Sequence, residues 1–376
     1  MKKPIFTRII GQRRHLPFRE VYRVSLIAFA SLLSINFNLS AIAQNLGSPG
    51  FTWTGDFNGD SVTDYASASA TNVYMYLSNK SSFERQTWAI AGAWGAPEYI
   101  YVGDFNGDNK RDLASAAGTN VYLQLSNGMG FDSAIWPVSG QWGDAGYSRI
   151  GDFNGDGKAD IGTIIGSNVY LQISNGAGFE SSVWTIPGTV GGAGHTWFRD
   201  FNGDGRTDIA SAVGSNVYMH LSNGSSFDSA VWTVAGNWGA PEYSWAGDFN
   251  GDNKVDLATA IGSNVYMHLS NGSSFDSAVW TIPGAWGAPE FSWAGDFNGD
   301  GITDLASAKG SQIDVHYSNG SSFDSSTLLV SSNWGDAGYI RVGDFDGDGK
   351  HDIITPIETN IFVHTPDKTQ FRTKAW

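Results

Sequence analysis

The sequence predicts an all-β fold, a seven-bladed β-propeller with four antiparallel strands per blade, and three observations carry that prediction. The block Asp-Phe-Asn-Gly-Asp begins at Asp56, Asp104, Asp152, Asp200, Asp248 and Asp296, a variant, Asp-Phe-Asp-Gly-Asp, begins at Asp344, and every interval is 48 residues. Each unit alternates apolar and polar residues with the period of two that strands require, and helical spacing is nowhere sustained. Composition agrees: 48 Gly, 14% aromatic and 16% charged residues in a chain of 376 suit many short strands and turns.

The elements of one unit follow in order. In the fifth, a short strand through Tyr243–Ala246 leads into the Asp248 loop, and Asp256–Ala260 forms the second strand. Between Asn264 and Ser270, Val265, Met267 and Leu269 alternate with Tyr266 and His268 as a third strand. The pair Asn271-Gly272 is expected to supply the positive-φ residues of a tight hairpin turn, and Ser277–Ile282 the fourth strand. Four antiparallel strands in 40–50 residues make a propeller blade, and seven units make seven blades. The chain ends predict a closed ring. Leu46–Phe51 aligns with Trp94–Tyr99, and Trp376 falls on the ladder Trp88, Trp136, Trp184, Trp232, Trp280. The segment missing after Trp376 is therefore supplied near the start. One domain, 44–376, falls three residues short of seven full repeats.

Residues 1–43 differ from the rest. A basic stretch, Lys2 to Arg23, precedes the apolar run Val24–Ser34 and the small-x-small sequence Ala41-Ile42-Ala43, the form of a signal-peptidase site. Cleavage after Ala43 is expected, with an uncleaved anchor as the alternative. Ser31, Ser34, Asn36 and Asn38 make a poor permanent span, so no membrane insertion is expected after cleavage. The protein is read as secreted, extracellular or periplasmic, and monomeric. The remaining chain carries 15 basic and 36 acidic residues, a balance that repels nucleic acid and anionic lipid. Cysteine is absent, so disulfides, thiolate-bound zinc and a cysteine nucleophile are excluded.

Each loop sets oxygen-bearing side chains at positions 1, 3, 5 and 9. These are Asp56, Asn58, Asp60 and Asp64; Asp104, Asn106, Asp108 and Asp112; Asp152, Asn154, Asp156 and Asp160; and Asp200, Asn202, Asp204 and Asp208. They continue as Asp248, Asn250, Asp252 and Asp256; Asp296, Asn298, Asp300 and Asp304; and Asp344, Asp346, Asp348 and Asp352. Alternating oxygen donors in a turn, with a carbonyl at position 7, suit Ca²⁺ better than Mg²⁺ or zinc, and up to seven ions are expected. The spacing begins like an EF-hand but lacks the Glu at position 12 and flanking helices. The loops hold 22 of the 36 acids, and so many clustered carboxylates repel one another without a cation. Turn chemistry alone would explain one such loop but not seven with the same spacing.

The run Gly151–Asp160, Gly-Asp-Phe-Asn-Gly-Asp-Gly-Lys-Ala-Asp, resembles the FG-GAP or VCBS repeat of integrin α-like propellers and many secreted bacterial proteins. The resemblance covers all seven units. It implies calcium in the hairpin between the two inner strands of each blade. It does not fix function, because such blades serve adhesion, glycan binding and a few polysaccharide lyases. Free-standing relatives include fungal seven-bladed lectins that hold sugars between blades.

A ligand surface is expected on the third strands. There the pairs Tyr122 and Gln124, Tyr170 and Gln172, Tyr218 and His220, and Tyr266 and His268 each join an aromatic ring to a hydrogen-bonding group, the equipment of sugar recognition. The competing reading makes these residues inter-blade packing. The ladder Trp53, Tyr101, Arg149, Trp197, Trp245, Trp293, Arg341 is placed at the channel mouth. Catalytic signatures are missing: no nucleophile elbow, His-Glu-x-x-His or phosphate loop is present. Of the one-off histidines His195 and His351, His195, beside the atypical Thr189–Gly194 segment, is the better place for asymmetric chemistry. The chain is therefore read as a non-catalytic, calcium-stabilised module that binds a glycan. An extracellular protein partner is the alternative, and a polysaccharide lyase comes third.

Overall fold

The computed structural model describes residues 47–376 except 93, 140, 141, 237, 285, 331–333, 358, 359, 368 and 369. The expected signal segment 1–43 lies outside the described residues. Seven antiparallel sheets are present, each built from four consecutive strands. Blade 5 is representative, with strands Ser244–Gly247, Asp256–Ile261, Asn264–Ser270 and Phe275–Thr281 from the channel outward. A one-turn 3₁₀ helix precedes each of the seven innermost strands, as at Pro241–Tyr243, and the described residues contain no other helix.

The expected hairpin between third and fourth strands differs in one detail. Only Gly272 has positive φ, at 88°. The turn spans four residues, closed by the N–H of Asn271 donating to the Ser274 carbonyl at 3.1 Å. The Asn271 side-chain oxygen accepts from the N–H groups of Ser273 and Ser274 at 3.0 and 2.9 Å. A side chain that satisfies two backbone donors favours this longer turn over a two-residue one, and the fourth strand accordingly starts at Phe275.

Both faces of a blade are packed, and the core lies between blades. Phe201, Met219 and Trp232 of blade 4 cluster with Leu257 and Phe275 of blade 5. The second strands, crowded near the channel, use small residues such as Ala258 and Ala260, which are 0% and 5% exposed. Farther out the wedge widens and larger rings fill it. Trp88, Trp136, Trp184, Trp232 and Trp280 each meet a phenylalanine of the next blade edge-on, with centroids 4.9–5.0 Å apart. Leu328 takes the tryptophan's place in blade 6 and packs in the cluster that holds Phe371.

Backbone hydrogen bonds lock neighbouring blades at the channel end. The N–H at loop position 8 donates to the position 1 carbonyl of the preceding loop at all seven junctions, from Arg111 to Asp56 at 2.8 Å round to Thr63 to Asp344 at 2.8 Å. Glycine before the loop permits this approach in every blade but the fourth, where Arg199 stands. A Cβ on Gly151 would lie 2.4 Å from Thr207 Oγ1, and one on Gly343 would lie 2.6 Å from Thr63 Cγ2.

The same contacts close the ring. Trp376 meets Phe83 at 5.0 Å, the Tyr339 hydroxyl donates to the Gly47 carbonyl at 2.7 Å, and Lys374 donates to the Ser81 carbonyl at 2.8 Å. The Arg341 guanidinium reaches the carbonyls of Pro49 and Thr52 at 3.1 and 3.0 Å and the Thr52 hydroxyl. Among the described residues no strand is exchanged between blades, and side chains and loops hold the seam. Because the Trp–Phe pairs fill a close-packed wedge, Trp232→Ala is expected to destabilise the fold by about 3–5 kcal/mol, read as a lower midpoint in urea.

Candidate functional site

Each acidic loop joins the innermost strand to the second. The position 1 carboxylate organises it: Asp152 Oδ1 accepts from the N–H groups of Gly155 and Asp156 at 2.7 and 3.1 Å, and Oδ2 from Gly157 at 2.7 Å. Asn154 Oδ1 accepts from the N–H of Asp156 at 3.0 Å, and Asp156 Oδ1 from that of Lys158 at 2.9 Å. Position 6 needs a left-handed backbone: Gly157 has φ of 82°, and Ser61, Asn109 and Asn253 adopt 67°, 67° and 63° at the same place. Asparagine tolerates this region better than serine does.

The structure divides the four expected ligand positions. Positions 1, 3 and 5 face one another, and in blade 7 the carboxylate oxygens of Asp344, Asp346 and Asp348 lie within 4.8 Å of one another. Position 9 lies beneath them and carries two further hydrogen bonds. Asp256 is fully buried, with Oδ2 accepting from the N–H of Phe249 at 2.9 Å and Oδ1 from that of Ser270 at 2.7 Å. Asp64, Asp112, Asp160, Asp208 and Asp304 repeat both bonds. As the first residue of the second strand, this aspartate lies beneath the loop, where two buried N–H groups claim its oxygens. Burial, against those two hydrogen bonds, pushes these six carboxyls up to about 7.

Position 7 carries a function that the sequence reading missed. Lys110, Lys158, Arg206, Lys254 and Lys350 each pair with the position 5 aspartate of their own loop, at 2.5–3.1 Å. Where the residue is Val62 or Ile302, the position 3 amide donates to that oxygen, from Asn58 at 3.1 Å and Asn298 at 2.9 Å, as Asn202 also does beside Arg206 at 3.0 Å. A basic residue two places after the position 5 aspartate, repeated in five loops, was the available signal. These partly exposed pairs neutralise charge with little net stabilisation. The oxygen-only donor set of positions 1, 3 and 5 fits a hard divalent cation.

The expected ligand ladder also divides. Gln124 and Gln172 are 3% exposed and His220 and His268 no more than 2%, so the second member of each pair is withdrawn from any ligand. The sequence expectation is corrected there. The reason is a buried hydrogen bond to the outer strand: His220 Nδ1 pairs with Ser229 Oγ at 2.8 Å, His268 Nδ1 with Ser277 Oγ at 3.0 Å, and the amide oxygens of Gln124 and Gln172 accept from Ser133 and Ser181 at 2.5 Å. His316 and His364 are held likewise by Ser325 and Thr373. The tyrosines, in contrast, reach the rim. Tyr122, Tyr170, Tyr218 and Tyr266 are half-buried and stand across the sheet from Ile135, Val183, Val231 and Val279, which are 53–60% exposed. The rings of Tyr218 and Tyr266 lie under the linker glycines Gly188 and Gly236, where a Cβ would come within 2.8 and 2.7 Å. Four consecutive blades thus repeat a tyrosine beside an exposed aliphatic side chain, and in blades 2, 4 and 5 a described linker glycine lies against the tyrosine ring. The neighbouring blades break the pattern, with Arg85 covering Tyr74 at 5.6 Å and Asp314 bonded to Thr327 at 2.6 Å.

The Trp ladder at the channel is structural. Trp53, Trp197, Trp245 and Trp293 stack on the linker tryptophans Trp94, Trp238, Trp286 and Trp334 at 5.0–5.5 Å. His195 sits in the same kind of stack, 6.0 Å from Trp197 and 5.8 Å from Trp238. No helix of the described residues is long and apolar enough to cross a membrane.

A ring of identical blades, each with an acidic loop between its two inner strands, defines a repeat propeller of seven blades. The chain belongs to the FG-GAP-like repeat family, whose profile matches residues 56–115, 104–163, 200–259, 248–307 and 296–355. No curated protein matches it in sequence. Among solved structures it is similar to an Agrocybe aegerita lectin, described by its specific recognition of non-reducing terminal N-acetylglucosamine, with a TM-score of 0.65 and 20% identity over 88% of this chain and 91% of the lectin. It is also similar to a streptogramin B lyase, with a TM-score of 0.50 and 9% identity over 88% of this chain and 96% of the lyase. At such identities both likenesses concern the fold.

Two outcomes follow from this geometry. Asp256→Asn, which turns an amide donor toward a buried N–H, is expected to cost about 1–3 kcal/mol, whereas Asp252→Asn at the exposed loop tip costs less than about 0.5 kcal/mol, both measured by urea unfolding in chelator. Burial holds His268 down at about 4. Below pH 6.5 the unfolded chain takes up a proton there that the fold refuses, so stability present above pH 6.5 is lost as pH falls to about 4, up to about 3 kcal/mol for a fully resolved site. The buried aspartates shift in the opposite sense, so the effect is isolated by difference. His268→Gln, the residue type of blades 2 and 3, is expected to gain on the parent as pH drops from 6.5 to 4, in melting scans at each pH.

Proposed function

We propose that the protein is an exported, non-catalytic carbohydrate-binding propeller whose loops are stapled by Ca²⁺. The observation that carries the reading is the four-fold repetition of one rim cleft, in blades 2 to 5. Each offers a half-buried tyrosine ring against which the apolar face of a sugar can stack and an exposed aliphatic side chain, and in blades 2, 4 and 5 the described linker adds backbone groups for hydroxyls. Equivalent clefts at fixed spacing favour a repetitive glycan, because one weak contact per blade multiplies through avidity. The likeness in fold to a lectin that recognises terminal N-acetylglucosamine supports this class of ligand.

Calcium is assigned to positions 1, 3 and 5 of the loops, with Asp or Asn oxygens as donors. When bound it would supply positive charge to clustered carboxylates and hold the hairpin of the two inner strands. The histidines argue for binding over catalysis. Four repeat the same buried link to the outer strand, and His351 Nδ1 accepts the Asp296 N–H at 3.0 Å across a junction.

Protein adhesion is the second reading, favoured by the exposed row Ile135, Val183, Val231 and Val279. A glycan array probed with purified protein in calcium separates them. Binding is expected on the array, and Val231→Asp with Val279→Asp is expected to weaken it about tenfold or more without lowering the melting temperature, since both side chains are at the surface. Silence on the array sinks the carbohydrate reading and leaves the row to a protein partner. Chelation is expected to lower the melting temperature reversibly. Each site contributes about 3 kcal/mol at a hundredfold excess of calcium over its Kd.

A further inference from the structure

We propose that the seven loops are not equivalent and that the loop of blade 7 is the primary divalent-cation site, because Pro366 releases a buried oxygen of Asp352 that the other blades lock to a backbone N–H. The inference rests on the calcium reading above.

Three independent features meet at this loop. The first is its acid count. Asp346 stands where the other six loops have asparagine, so Asp344, Asp346 and Asp348 bring three carboxylates together. Lys350 pairs with Asp348 at 2.5 Å, which leaves the other two without a cation partner in the loop.

The second is an unpartnered atom. In blades 1 to 6 the position 9 carboxylate accepts two N–H groups, one from the position 2 phenylalanine and one from the serine fourteen residues on. In blade 7 that serine is Pro366, which has no N–H to give. Asp352 keeps its bond from Phe345 at 3.0 Å, but Oδ1, in a fully buried residue, has no partner at all. It is the one carboxylate oxygen among the described residues left buried in this way. An ionised oxygen cannot be buried unpaired without a large cost, and a cation in the loop removes that cost.

The third is access. The same proline deletes a junction contact. Serine hydroxyls at this place donate to the position 2 carbonyl of the preceding blade, as Ser318 does to Phe249 at 2.6 Å and Ser78 to Phe345 at 2.5 Å. Between blades 6 and 7 no such hydroxyl exists, and a cavity of about 620 Å³ opens there, walled by Phe297, Asp346, Asp348 and Pro366. Asp346 and Asp348 thus face solvent through a cavity while Asp352 backs them from the interior.

The test is calorimetric titration of Ca²⁺ into the chelator-stripped full chain, with Pro366→Ser, Asp346→Asn and, as a control, Asp156→Asn in blade 3. The first two variants restore residues that the other blades carry, and circular dichroism checks their folding. One tight site is expected to fill ahead of the rest, to weaken about tenfold or more in each of the first two variants, and to persist in the control. Seven sites of one affinity, or a tight site that survives Pro366→Ser and Asp346→Asn, overturns this inference alone. Absence of any binding heat removes the calcium reading itself.

Discussion

Seven backbone hydrogen bonds, each from position 8 of one loop to the position 1 carbonyl of the loop before it, run round the channel end of the ring. They fix how near two blades stand at the inside, and that distance decides what fits outside it. Small residues occupy the second strands, a tryptophan and a phenylalanine meet edge-on toward the rim, and the preceding glycine admits the close approach. Because the unit never gains or loses a residue, every junction can use one geometry, including the junction between the last blade and the first. A ring of identical wedges closes only when every wedge has the same angle, so an uninterrupted register is what permits closure without an exchanged strand.

The loops serve two physical purposes that their repetition makes easy to confuse. Position 9 has an architectural task whether or not it also meets a cation: its two oxygens satisfy two buried N–H groups and tie the loop to the end of the third strand. Positions 1, 3 and 5 gather oxygen donors toward the outside, where a cation is reachable. Basic residues at position 7 relieve part of the charge from within the chain. Charge that looked from composition like a demand for seven cations is therefore partly met by lysine and arginine.

Blade 7 shows how one substitution separates those purposes. Replacing the serine by Pro366 removes an N–H from Asp352 and a hydroxyl from the junction with blade 6, and both losses fall beside the one loop with an extra carboxylate. Blade-to-blade variation of this kind is how a repeat protein acquires an asymmetric feature without changing its fold. The rim follows the same logic, since four blades keep the tyrosine cleft while Arg85 and Asp314 close it elsewhere.

Blade count, strand order, the ring seam and the place of the acidic loops were all legible in the sequence. Each of these depends on spacing along the chain, and a constant 48-residue period states spacing directly. The place of Trp376 on the outer ladder also followed from register, and its ring is found against Phe83 of the first blade. Which oxygens are free was settled only by the packing of one blade on the next. Asp64 and Asp60 look alike in sequence, yet one is locked beneath the loop and the other is exposed, because N–H groups from different strands converge on the first. The same holds for Tyr218 and His220, two residues apart on one strand: the first reaches the rim and the second is sealed in the junction. Period-two alternation puts both on one face of the sheet. In a blade packed on both faces, that alternation no longer separates inside from outside, so burial had to come from the neighbouring blade.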